Sequence, residues 1–117
     1  MNVLVTGGGG FLGRYIAEQL MQRGYVVSVL CRNAYPELSE QGINVIRGDV
    51  TNPDDVNRAV QGNTFVFHVA AMVGYWGSYD DFFNTNVNGT QNVINSCQIH
   101  GVSKLIYTSS PSVTMNN

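Results

Sequence analysis

Val3-Leu4-Val5-Thr6-Gly7-Gly8-Gly9-Gly10-Phe11-Leu12-Gly13 is the stretch on which the reading of this chain turns. Val3 to Val5 form a compact apolar run that enters a set of glycines directly. Leu12, Ile16 and Leu20 then recur every fourth residue, with Ala17 and Met21 beside them. That pattern is a strand, a tight turn and an amphipathic helix, which Gly24 closes. A glycine triplet alone says little, but here it follows a strand and opens a helix, which is the context its chemistry requires. Gly7 permits the tight turn, Gly10 lets backbone approach a diphosphate, and Gly13 lets helix and strand pack closely. The anion would rest on free N–H groups of the helix's first turn, helped by the helix dipole. The alternative is a flexible glycine-rich turn that holds nothing.

The alternation continues along the chain. Val26 to Leu30 read as a strand buried on both faces, and Asn33 to Gly42 as a polar connection holding one short helical turn. Asn44 to Arg47 follow as a third strand. Thr51-Asn52-Pro53-Asp54-Asp55 announces a helix through a capping side chain, a proline in the first turn and two acids at the positive end of the dipole. Val56, Ala59 and Val60 are its inward face. Thr64 to Val69 is the fourth strand. A long helix is expected from about Tyr79 to His100, capped by Ser78, with Phe83, Val87, Thr90, Val93, Ile94 and Cys97 as its apolar stripe. Lys104 to Thr108 is the fifth strand. Strands alternating with helices make parallel βαβ units joined by right-handed crossovers. The expected fold is therefore α/β, a Rossmann-type doubly wound parallel sheet in the order 3-2-1-4-5. Its ligand crevice lies where the order reverses, at the C-terminal ends of strands one and four.

Composition is consistent with this. The 117 residues suit one nucleotide-binding domain spanning 1–117, because domains most often run to roughly 100–150 residues. Charged residues make up 12%, well below the usual share of about 25%, as expected when strands are covered on both faces. A net charge of −2 gives no basic patch, so nucleic acid is a poor candidate partner. No run approaches the roughly 18 apolar residues that span a bilayer, and the start MNVLVTGGGG lacks the layout of a signal peptide. The expectation is a cytoplasmic protein with no membrane span. Cys31 and Cys97 lack metal-ligand spacing and read as two buried free thiols, and no metal site is expected.

The glycines at 7, 10 and 13 are spaced by three and three. In this the chain resembles the extended short-chain dehydrogenases/reductases. Further matches follow in family order: Gly48-Asp49-Val50, His68-Val69-Ala70-Ala71, Asn86-Val87-Asn88-Gly89-Thr90 and Tyr107-Thr108-Ser109-Ser110. The segment Phe65 to Val113 is most similar to the 3β-hydroxysteroid dehydrogenase branch, and within it to bacterial 2-alkyl-3-oxoalkanoate reductases of olefin biosynthesis. The resemblance implies a nicotinamide dinucleotide held by Thr6, Gly7, Gly10, Phe11, Leu12 and Gly13. It places Asp49 and Val50 against the adenine, with the Asp carboxylate accepting from the amino group. Ala70 and Ala71 line the path of the nicotinamide-side ribose, and Asn86 corresponds to an active-site asparagine. His68, ending a buried strand, reads as structural rather than catalytic.

Two positions bear on which dinucleotide is bound. An acid about 20 residues beyond the glycine loop normally takes the ribose 2′-OH and favours NAD. Here strand two ends Leu30-Cys31-Arg32-Asn33, with cysteine in the acid's place and an arginine next to it. A guanidinium offers a planar donor fork to a 2′-phosphate, so NADP is favoured over NAD. The alternative for Arg32 is a solvated surface residue.

The family's chemistry uses a Tyr-x-x-x-Lys pair with a Ser or Thr that polarises the carbonyl. Ser110 is the first choice for that hydroxyl and Ser109 the second; both could instead be turn residues before Pro111. Lys104 is the only lysine and His100 stands four residues before it, so this stretch carries no such pair. The expectation is a truncated polypeptide that is inactive by itself, from a parent enzyme that acts on a small hydrophobic substrate and dimerises through the long helix. Three readings of the parent stand: an NADP-dependent oxidoreductase of a hydrophobic 3-oxo or 3-hydroxy compound, steroid-like or a long-chain 2-alkyl-3-oxo acid; a nucleotide-sugar epimerase or dehydratase; and a non-catalytic dinucleotide sensor.

Overall fold

In a computed structural model the chain folds around a five-stranded sheet, and the structure describes residues 1–7, 11–70 and 87–109. The elements are β1 (Asn2–Thr6), α1 (Phe11–Gln22), β2 (Val26–Cys31), α2 (Pro36–Glu40), β3 (Asn44–Arg47), α3 (Pro53–Val60), β4 (Phe65–Ala70), α4 (Gly89–Ile99) and β5 (Lys104–Ser109). The order β3-β2-β1-β4-β5 is the expected one, and every neighbouring pair is parallel. Strand ends differ slightly from those read in the sequence because partners set them. Thr6 pairs with Leu30 and His68, Cys31 with Arg47, and Ala70 with Ser109.

Alternation along the strands divides the core between the two faces of the sheet. Leu4, Leu30 and Val66 pack with Val56, Ala59 and Val60 of α3 and Val93 and Cys97 of α4. Val5, Val27, Val29, Cys31 and Val69 pack on the opposite face with Ala17 of α1, with Leu38 of α2, and with Ile43. The two free thiols therefore lie in different cores, on opposite sides of the sheet. Each fully buried aliphatic side chain contributes about 1.5–3 kcal/mol, so the central strand β1 anchors both layers. No helix among the described residues is long and apolar enough to cross a membrane.

Helix α3 starts as its sequence demands. Asn52 is the N-cap, its side chain accepting from the Asp54 and Asp55 amides at 2.9 and 3.4 Å, with Pro53 in the first turn. The long-helix expectation needs one correction. Val87 is 49% exposed rather than part of the apolar stripe that Val93 and Cys97 form. Residues 87–88 make a wider π-type turn ahead of α4, and the extra width carries Val87 off the core face. Ser78, Phe83 and the rest of the stretch 79–86 lie outside the described residues.

Helix α4 approaches the loop after β3 very closely. A Cβ on Gly89 would stand 2.7 Å from Val50 Cγ2, closer than any ordinary contact. A Gly89→Ala substitution is expected to push α4 off Val50 and to lower stability by about 1–3 kcal/mol, read from the urea midpoint.

Candidate functional site

The sheet order reverses between β1 and β4, and in open α/β sheets the ligand crevice lies at such a switch point, beyond the C-terminal ends of the strands. At its base, the Gly7 amide donates to the Leu30 carbonyl at 3.1 Å, and Gly7 has φ +71°. A Cβ there would meet the Val69 carbonyl oxygen at 3.0 Å, so both the backbone conformation and the space call for glycine. Helix α1 opens at Phe11, Leu12 packs partly buried against the core beneath it, and Gly13 is buried. Gly10 lies outside the described residues.

Thr6, fully buried at the end of β1, belongs to a polar chain that crosses the sheet. Its hydroxyl accepts from the Val69 amide at 3.3 Å and lies 2.6 Å from His68 Nδ1. His68 Nε2 in turn lies 2.8 Å from the Thr90 hydroxyl on α4. A neutral imidazole carries one proton, so one of its nitrogens donates to a hydroxyl and the other accepts from one. The Tyr107 ring leans on the imidazole at a centroid distance of 5.6 Å. Both ring nitrogens are engaged with neighbouring side chains, as suits the structural role read for His68.

The segment after β3 is held from several sides. Gly48 donates its amide to Cys31 at 3.0 Å, and the Asp49 amide donates to Asp55 Oδ2 at 3.0 Å. Asp49 Oδ1 accepts from the Thr51 amide and hydroxyl at 2.9 and 2.8 Å, and the Val50 carbonyl accepts from Asn92 Nδ2 at 2.9 Å. Among the described residues, Asp49 Oδ2 and the Val50 amide have no partner. They are one acceptor and one donor on adjacent residues, the pair that an adenine edge can satisfy. Asp55 and Asn92, which secure this segment, were missed by the sequence reading. Asp55 was read only as a helix-dipole acid, and Asn92 is 42 residues from its partner.

Arg32 follows β2 on the exposed rim of the crevice and has no carboxylate partner among the described residues. Ala70 ends β4 and pairs in register with Ser109, the last residue of β5, so both sit at the C-terminal edge of the sheet. Ala71, Asn86 and Ser110 lie outside the described residues.

The profile of the 3-beta hydroxysteroid dehydrogenase/isomerase family matches residues 4–117. The chain belongs to that family. Its members include a 2-alkyl-3-oxoalkanoate reductase of Stenotrophomonas maltophilia, 51% identical over 97% of this chain and 34% of the relative. Another of the same name, from Shewanella oneidensis, is 45% identical over 97% of this chain and 29% of that protein. The chain thus spans about a third of the length of the curated relatives it matches. Among solved structures, UDP-glucose 4-epimerase of Thermus thermophilus in complex with NAD superposes with a TM-score of 0.77 and is 38% identical, covering 90% of this chain and 36% of that one.

The buried imidazole makes stability depend on pH. Burial pushes the His68 pKa from 6.5 down to about 4. With the folded value depressed, the unfolded chain binds the extra proton, so the contribution is complete above pH 6.5 and is lost as pH falls toward 4. Acid over that window should cost up to about 3 kcal/mol, and a His68→Asn variant, though less stable at the outset, should lose this part of the slope in urea titrations at stepped pH.

Proposed function

We propose that this chain is the dinucleotide-binding part of an NADP-dependent oxidoreductase that interconverts a hydrophobic 3-oxo compound and its 3-hydroxy form. The observation that carries the cofactor assignment is the end of β2, where Cys31 stands in place of an acid and the exposed Arg32 has no carboxylate partner among the described residues. An aspartate there would repel a 2′-phosphate, whereas a guanidinium forms charge-assisted bonds to it.

The remaining residues fit the same molecule. Gly7 makes room for a backbone turn under the diphosphate, with Thr6, Gly10, Phe11, Leu12 and Gly13 completing that loop. Asp49 Oδ2 accepts from the adenine amino group and the Val50 amide donates to the ring. Ala70 and Ala71 leave space for the nicotinamide-side ribose. When bound, the nicotinamide supplies or accepts the hydride. Ser110, or Ser109 beside it, polarises the substrate carbonyl from the end of β5, and Asn86 adds a polar group at the nicotinamide end.

The substrate class rests on the two 2-alkyl-3-oxoalkanoate reductases and on the steroid chemistry in the family's name. Of the two, a long-chain 2-alkyl-3-oxo acid is the better supported, because the relatives bearing that name are 51% and 45% identical, against 37% for the 3-beta-hydroxysteroid dehydrogenase of Mycolicibacterium neoaurum. The epimerase structure, solved with NAD, supports a second reading of the parent as a nucleotide-sugar enzyme. Cys31 and Arg32 speak against it.

The test uses the full-length gene product that contains this chain. NADPH consumption should proceed with long-chain 2-alkyl-3-oxo acids, and Arg32→Ala should lower the preference for NADP over NAD about tenfold to a hundredfold, the worth of one charge-assisted bond. Equal use of NAD by the unmodified protein, or cofactor that survives dilution and dialysis, would favour the epimerase reading instead.

A further inference from the structure

We propose that Arg47 is a second guanidinium of the 2′-phosphate site, so that a pair of arginines from neighbouring strands selects the phosphorylated cofactor. The inference rests on the NADP reading above and adds to it a residue that no sequence pattern marks.

Arg47 ends β3 and stands in register with Cys31, the residue in the acid's position. Its Nη2 donates to the carbonyl oxygen of Arg32 at 3.4 Å, which brings its guanidinium to the backbone that carries the first arginine. Both side chains are exposed at the same end of the sheet. An anion that reached both guanidinium groups would be favoured over one that met a single cation.

Most acids nearby are committed elsewhere, and none is paired with Arg32 or Arg47 among the described residues. Asp55 binds the Asp49 amide and pairs with Arg58 at 3.2 Å, while Asp49 Oδ1 holds Thr51. Glu18 and Glu37 pair with Arg14. Glu40 lines the same open groove as Arg47, about 460 Å³ in volume between α2 and β3, but forms no ion pair with it. Arg58 is excluded as a third member because Asp55 neutralises it. Its Nη2 instead donates to the Arg47 carbonyl at 3.1 Å and fixes the end of β3. Among the described residues near this rim, Arg32 and Arg47 are thus the two cations without a carboxylate.

The identity of residue 31 completes the argument. An aspartate there would lie beside Arg47 in the strand register and cancel its charge. The Cys31 thiol points its proton at the Asn33 carbonyl at 3.3 Å, and burial pushes its pKa up against the pull of Arg47, so it stays neutral. A single exchange of acid for cysteine thereby removes a repulsive group and frees a cation.

Calorimetric titration of the full-length gene product with NADP, NAD, adenosine 2′,5′-bisphosphate and 5′-AMP tests this, using Arg47→Gln, Arg47→Lys and Arg32→Gln. Arg47→Gln should weaken NADP and the bisphosphate about tenfold or more while leaving NAD and 5′-AMP within twofold, and Arg47→Lys should recover part of the loss. If Arg32→Gln shifts the NADP to NAD ratio and Arg47→Gln does not, the second arginine is refuted and the NADP reading stands. If neither variant shifts it, both fall. Equal weakening of all four ligands by Arg47→Gln would mean that the residue serves the fold, which also overturns the proposal.

Discussion

The contact between Gly7 and the Val69 carbonyl constrains everything built above the sheet. β1 is the central strand, and its last residues are gripped on both sides, by the Gly7 amide bond to Leu30 and by the Thr6 hydroxyl's contacts with His68 and the Val69 amide. A chain leaving a strand so held has room to turn upward only if it carries no side chain, since a Cβ would lie 3.0 Å from a main-chain oxygen of β4. Any other residue must displace β4 or unpair β1. The buried relay through His68 to Thr90 then couples that turn to α4, so the position of the turn, the two central strands and one covering helix are set together.

The fold was legible because its signals are local. Apolar runs entering glycines, Asn52-Pro53 before two acids, and the four-residue period of Leu12, Ile16 and Leu20 each act within a few residues, and each formed the element it announced. Val87 shows where such reading fails. Its spacing from Thr90 and Ile94 fits a helix, yet one wide turn ahead of α4 breaks the phase, and nothing in the residue types marks that turn. The site was legible as a set of motifs but not as a structure. Gly7 and Arg32 could be singled out by type and spacing, and Asp49 by the family resemblance. The bonds that secure them, Asn92 to Val50 and Arg47 to Arg32, join residues 42 and 15 apart and exist only because the sheet has one register.

Charge in this molecule is scarce and placed with consequence. Both faces of the sheet are covered, so ionisable groups are confined to helix surfaces and strand ends. At the end where β2 and β3 stop, the carboxylates are consumed by local bonds to Thr51, the Asp49 amide and Arg58. At that end the Arg32 and Arg47 guanidinium groups are exposed without an ion pair among the described residues, on a chain whose net charge is −2.

The stretch Arg47 to Val50 joins two tasks. The last residue of β3 donates to the Arg32 carbonyl, and the next three form the segment whose Asp49 Oδ2 and Val50 amide have no partner among the described residues. β3 is only four residues long and has a single neighbour in the described sheet, so it is the strand with the fewest ladder bonds to lose. It is held by side chains on both faces, Val45 in the core layer with α2 and Ile46 in the layer with α3, and by Arg58 at its carbonyl end. A ligand that bonds to both Arg47 and Val50 therefore bridges this edge strand to the loop it feeds, and binding is coupled to the folding of the weakest strand by mass action.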